Sequence, residues 1–229
     1  MGGGDPADEW CSESEEASGR ESAAIKYLQE FDSRANYVQL GDTWELRPHG
    51  QAHLEDILKS HRKKSQLWTD KREEGIIIPG NHDRDVNIFQ SIRWRVWPSM
   101  KILEYGDWRL LLLHGDRFDE WNKEGASIGQ AVTQIAGIIE RLGWPNVDHA
   151  LNGAWTKATD CVDKIDAGCA ALAKELKCNA VIHGHDHYPH LKEVDGLLVA
   201  DPGTWVRRFD NGYPLVRVEP KSLTLEWRS

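Results

Sequence analysis

Four short apolar runs punctuate the chain, and each stops at a glycine beside Asp, Asn or His. Tyr37-Val38-Gln39-Leu40 stops at Gly41-Asp42, and Gly75-Ile76-Ile77-Ile78-Pro79 stops at Gly80-Asn81-His82-Asp83. Leu110 to Leu113 ends at His114-Gly115-Asp116, and Ala180-Val181-Ile182 runs into His183-Gly184-His185-Asp186-His187. Continuous apolar runs of this length predict buried strands. Between them the period lengthens: Ala24, Ile25, Leu28 and Phe31 predict a helix from Glu21 to about Ala35, and a second is expected from Gln51 to Trp68. Met100 to Tyr105, a Gly106-Asp107 turn and Trp108 to Leu113 predict a hairpin. A mostly helical region follows from about Glu120 to Leu176, carrying the apolar stripe Ile128, Val132, Ile135, Ile138, Ile139 and Leu142, which reads as packing rather than lipid contact. Leu197 to Ala200, Leu215 to Glu219 and Leu223 to Trp227 predict strands that finish a sheet, whereas residues 1–20, rich in Gly, Asp, Glu and Ser, predict a loop or frayed terminus. Strands alternating with helices give an α/β class.

Composition changes this picture little. With 229 residues the chain is expected to form a single domain with a helical insertion. A net charge of -9 leaves no extended basic footprint, so nucleic acid is not favoured as a partner. A small phosphoester remains open as a substrate, because bound cations can supply positive charge locally. The four cysteines, Cys11, Cys161, Cys169 and Cys178, form no C-x-x-C pair, and no signal-peptide pattern opens the chain, which predicts a reducing, cytoplasmic setting. No apolar run approaches the roughly 18 residues of a membrane span. Of the eleven tryptophans, most are expected to pack the core and a minority to line a pocket.

The chemistry sits at the ends of the four runs, the edge where α/β sheets gather their ligands. Imidazole and carboxylate together suit Mn, Fe, Zn or Ni better than Mg or Ca alone. Two ions about 3.5–4 Å apart need a bridging anion, and Asp42, behind a glycine that lets the chain turn, is the candidate. His185 and His187 would share one face in an extended segment, but a turn would aim them at two neighbouring ions, and the turn is expected. Taken singly, Asp42 or Asn81 reads as a turn or cap residue and His114 as a core histidine; it is their joint recurrence that points to metal.

In this order, Gly41-Asp42, Gly80-Asn81-His82-Asp83, His114-Gly115-Asp116 and Gly184-His185-Asp186-His187 resemble the signature of the calcineurin-like metallophosphoesterase superfamily. The resemblance implies a two-sheet β-sandwich flanked by helices, with residues 120–176 as an insertion and candidate cap. It implies two divalent ions, Mn²⁺ by expectation, with Asp42 bridging both, Asn81, His114 and His185 on the second and His187 on the first. His82 would act on the substrate, stabilising phosphoryl oxygens or protonating the leaving oxygen. The implied reaction is in-line attack of a metal-bound hydroxide on a phosphate monoester, diester or pyrophosphate. Asp83 and Asp116 would hydrogen-bond ligand histidines or backbone amides. Two alternatives are a degenerate binding protein with a single metal and a DNA nuclease of the same superfamily.

The superfamily's opening Asp-x-His motif does not precede Gly41. The glycine-rich start resembles the loop that follows that motif, so Met1 is expected to be an internal methionine, with the missing strand encoded just upstream. The competing expectations are that Asp5 or Asp8 substitutes as a ligand, or that one metal site is lost.

Overall fold

The computed structural model describes residues 26, 37–42, 75–81, 83, 95–97, 99–119, 161–204 and 211–228. Lys26 apart, the expected helices at 21–35 and 51–68, the loop at 1–20 and the stripe from Ile128 to Leu142 lie outside the described residues. The chain divides into two compact units: Met1–Pro98 with Ser127–Asn152, and Ser99–Ala126 with Gly153–Ser229.

In the first unit β1 (Tyr37–Gln39), β2 (Gly75–Ile77) and β3 (Arg95–Val96) form a parallel sheet in that order. Val38 pairs with Ile76, and Ile76 with Arg95. The ladder runs on past the strands, where Ile78 N–H donates to Gln39 O at 2.9 Å and Trp97 N–H to Ile77 O at 2.9 Å. Ile76, Ile77 and Ile78 are buried, as a central strand's continuous apolar run requires. β1 is only half-buried, matching its mixed Tyr-Val-Gln composition.

The second unit is built on a five-stranded mixed sheet. Its strands are β4 (Met100–Tyr105), β5 (Trp108–Leu113), β6 (Ala180–Ile182), β7 (His190–Val194) and β8 (Leu197–Asp201), in the order β4-β5-β6-β8-β7. The central β5, β6 and β8 are parallel, and β4 and β7 add antiparallel edges. Between β5 and β6 come a 3-10 turn (Asp116–Phe118) and α1 (Cys161–Glu175), the described part of the expected helical region. Leu111, Leu113, Val181 and Val199 on one face of the sheet share a core cluster with Ile165, Cys169, Ala170 and Ala173 of α1. Small residues bring the helix close: a methyl on Gly168 would stand 2.5 Å from Phe118 Cδ1. The alternate positions, Leu110, Leu112, Ala180, Ile182 and Ala200, are buried too. Burial on both faces is why these strands read as unbroken apolar runs.

α1 ends in a Schellman closure. Cys178 N–H donates to Ala173 O at 2.8 Å and Lys177 N–H to Lys174 O at 3.0 Å, with Lys177 in the left-handed region at φ 57°. Asn179 then ties the entry of β6 to the β4–β5 hairpin, because its side chain accepts from Arg109 N–H at 2.8 Å and donates to Asp107 O at 2.8 Å. A second hairpin, β9 (Tyr213–Glu219) and β10 (Ser222–Arg228), caps the same turn through Asp107 N–H to Pro220 O and Trp108 Nε1–H to Glu219 O. Among the described residues no helix is long and apolar enough to cross a membrane.

Candidate metal centre

In the first unit two motifs meet at the ends of the neighbouring strands β1 and β2. Gly41 (φ 86°) and Asp42 (φ 51°) both take left-handed backbone, turning the chain sharply after β1. The loop after β2 packs directly on this turn: a methyl group on Gly80 would overlap the Asp42 carboxylate and lie 2.7 Å from Asp42 N. Only glycine fits so close an approach. Asp83, fully buried, accepts a hydrogen bond from Gly80 N–H at 2.6 Å, the backbone-holding role expected of it. Asn81 is buried beside it. His82 lies outside the described residues.

In the second unit the parallel strands β5 and β6 deliver their loops to one edge. His114 follows β5, and its carbonyl accepts from Gly184 N–H at 2.9 Å, locking the two loops together. The rings of His114 and His185 stand edge to face with centroids 5.2 Å apart. His185 (φ 85°) and His187 (φ 59°) are both left-handed, so the segment turns rather than runs extended. An extended segment would have put both rings on one face. His185 Nε2 lies 3.0 Å from Asp119 Oδ2, with both side chains largely buried. A carboxylate on one ring nitrogen fixes the orientation of the ring.

Sequence reasoning did not single out Asp119. Its signal was faint: a carboxylate five residues past His114, in a segment without periodicity.

Behind these loops lies a buried polar network that the motifs only partly announced. Asp166 of α1 lies against His183 Nε2 at 2.6 Å, His190 Nε2 at 3.0 Å and Lys192 Nζ at 2.7 Å. Burial alone would push the Asp166 carboxyl up, but these three partners outweigh it and hold the group well below the usual carboxylate range. His190 answers in the opposite sense: burial works against its charged form, yet the Asp166 contact raises it. Asp201, fully buried, is pushed well above the carboxylate range by desolvation and then by the facing Asp186 carboxylate. His190, outside the four motifs, forms the start of β7 and belongs to this network.

No curated protein sequence matches the chain at a significant level. Among solved structures it is similar to a single mutant of Vps29 from Entamoeba histolytica, at 14% identity over 89% of this chain and 79% of that one, with a TM-score of 0.44. Vps29 from Chaetomium thermophilum gives 14% identity over 88% and 74% at a TM-score of 0.43, and an archaeal phosphodiesterase 12% over 82% and 96% at 0.39. At these levels the likeness says nothing of activity. The calcineurin-like phosphoesterase model, by contrast, matches residues 7–189, a span that takes in all four motifs. With mixed α/β architecture and histidine loops at the strand ends, the chain belongs to the calcineurin-like phosphoesterase family.

Proposed function

We propose that the chain hydrolyses a phosphate monoester, diester or pyrophosphate at a binuclear centre. Asp42 would bridge two Mn²⁺ ions, with Asn81, His114 and His185 on one and His187 on the other. On this reading the chain is one cytoplasmic metallophosphoesterase domain, with residues 120–176 as a candidate cap. The observation that carries it is backbone strain: Asp42, His185 and His187, three of the five ligand candidates, all have positive φ. Such conformations cost on the order of 1–3 kcal/mol each in non-glycine residues and gather at functional sites. The donor set also fits, since imidazole nitrogens with a carboxylate suit Mn, Fe or Zn.

Bound ions would supply positive charge to the phosphoryl oxygens and acidify the attacking water. The chain's own part is orientation. Asp119 fixes the His185 ring and the Gly184 amide fixes the His114 loop, while His82 would hydrogen-bond a phosphoryl oxygen or give its proton to the leaving oxygen.

The test is hydrolysis of bis-p-nitrophenyl phosphate and p-nitrophenyl phosphate with added Mn²⁺ by the wild-type, Asp42→Ala and His82→Ala chains. Wild type should turn over at least one of them, and His82→Ala should lose roughly 10²–10⁴-fold. Equal rates in all three chains would reject the reading, and cleavage of single-stranded DNA in place of both esters would favour a nuclease of the same family.

Gly80→Ala offers a second check that leaves every ligand in place. Its methyl displaces the Asp42 carboxylate, and Mn²⁺ affinity should fall about 10–100-fold, the range for disturbing a ligand's support. Calorimetric titration reads this, and an unchanged affinity would remove Asp42 from the ligand set.

A further inference from the structure

The turn that carries His185 and His187 is held in a form its own residues do not favour. Both histidines take left-handed backbone, at φ 85° and 59°. In non-glycine residues such backbone persists only where the surroundings over-determine it. Two contacts act on the turn itself: Tyr188 N–H donates to Asp186 Oδ1 at 2.7 Å, and Gly184 N–H donates to His114 O at 2.9 Å. Neither joins its two ends.

One carboxylate oxygen meets both ends. The chain leaves β6 at His183 and enters β7 at His190, and Asp166 Oδ1 lies 2.6 Å from His183 Nε2 and 3.0 Å from His190 Nε2. The other nitrogens of the same two rings face carbonyls of the turn. His183 Nδ1 lies 2.9 Å from Gly184 O, and His190 Nδ1 lies 2.7 Å from Tyr188 O. Each imidazole therefore links Asp166 to the backbone of the turn, one near its first residue and one near its last. The carboxylate is fixed in turn from its far side, where Lys192 Nζ pairs with Oδ2 at 2.7 Å. Its neighbours Ile165 and Cys169 on α1 are buried in the core cluster shared with the sheet, so the helix is a firm mount.

We propose that Asp166 is a positioning residue: through the His183 and His190 rings it holds residues 184–189 in the left-handed form that presents His185 and His187 to the metal centre. It touches neither ion nor substrate in this role. The inference rests on the proposed metal centre for its purpose, whereas the contacts themselves involve no ion. A buried ion pair with a structural role alone would support the whole unit evenly; a positioning residue acts on the turn.

The test compares full-length wild type with Asp166→Asn, His190→Ala, His190→Gln and Asp163→Asn. Amide hydrogen exchange is followed first, in chelator-treated protein. Asp166→Asn and His190→Ala should lose protection at residues 184–189 while β5, β6 and α1 keep theirs. Mn²⁺ affinity, read by calorimetry, should fall about 10–100-fold in both, the range for removing a ligand's support. Saturating Mn²⁺ should then restore most of the turnover of bis-p-nitrophenyl phosphate, with KM unchanged. His190→Gln, whose amide can still reach the Asp166 oxygen, should recover part of the affinity. Asp163→Asn, exposed on α1 and in contact with the same Lys192, should match wild type in every reading. If Asp166→Asn does not fold, the two His190 variants, at the partly exposed end of the contact, carry the comparison. Unchanged protection at 184–189 overturns the proposal, as does a loss spread evenly over the sheet and α1. Lost protection with unchanged Mn²⁺ affinity overturns it too. Failure of the phosphoesterase reading looks different: wild type would bind no Mn²⁺ and cleave no ester, and the exchange pattern would still decide for or against Asp166.

Discussion

His185→Ala is expected to lower phosphoester turnover by roughly a thousandfold, about 4 kcal/mol of barrier, with little change in the stability of the chain. The loss has a definite source. The ring is held by Asp119 Oδ2 on Nε2 and by the edge of His114. Removing it takes away one ligand of the ion that also shares Asp42 in the proposed centre, at a position whose backbone is already turned to φ 85°. His185→Gly serves as the control, because it relieves the left-handed backbone and still lacks the ligand; it should be as inactive as His185→Ala. Asp119→Asn keeps the shape but weakens the ring's orientation, and a loss of about 10–100-fold places it between wild type and the ligand variants. Rates at saturating Mn²⁺ read all three chains, with unfolding followed alongside. A His185→Ala chain within about threefold of wild type would take His185 out of the centre.

How much of this could be read beforehand depends on the physics of each element. The β4–β5 hairpin was legible residue by residue, since Gly106-Asp107 is turn chemistry between two strand-like runs and the observed pairs run from Met100 with Leu113 to Tyr105 with Trp108. β5, β6 and β8 were legible because burial on both faces leaves nothing polar to interrupt them. β3 and β7 were missed for the converse reason. Arg95-Val96 is too short to show a period, and His190-Leu191-Lys192-Glu193-Val194 is an edge strand whose half-exposed pattern carries no apolar run. Missing β7 cost the site as well, because only the strand brings His190 beside Asp166.

Four of the five candidate ligands were visible because each directly follows a glycine or an apolar run at a strand end, and His187 because it stands two residues past His185 in the same loop. Their partners were not. Asp119 and Asp166 reach His185 and His183 across 66 and 17 residues of chain, and a carboxylate on a helix such as α1 reads from sequence as solvated surface. Only the packing of α1 against the sheet turns Asp166 inward.

Leu111→Ala is expected to cost about 2–5 kcal/mol of stability, the range for emptying a well-packed leucine site. Leu111 is fully buried at the middle of β5, paired with Ile102 on β4 and Val181 on β6, and it faces the cluster formed by Ile165, Cys169 and Ala173 of α1. Cys169 and Ala173 are small and hold the helix close to the sheet, with Gly168 already against Phe118, so α1 has little freedom to move in and fill the space. The cavity term therefore adds to the lost transfer energy. Ile102→Ala on the edge strand β4, where the side chain is only partly buried, should cost less. Urea unfolding of the three chains measures the difference, with the slope expected to stay constant if only the folded state is affected. The consequence reaches the proposed metal centre, because His114 directly follows β5; a chain loosened here should bind metal more weakly without losing a ligand. A Leu111→Ala penalty under about 1 kcal/mol would mean that α1 does not cover this face of the sheet, and the buried Asp166 network would lose its basis with it.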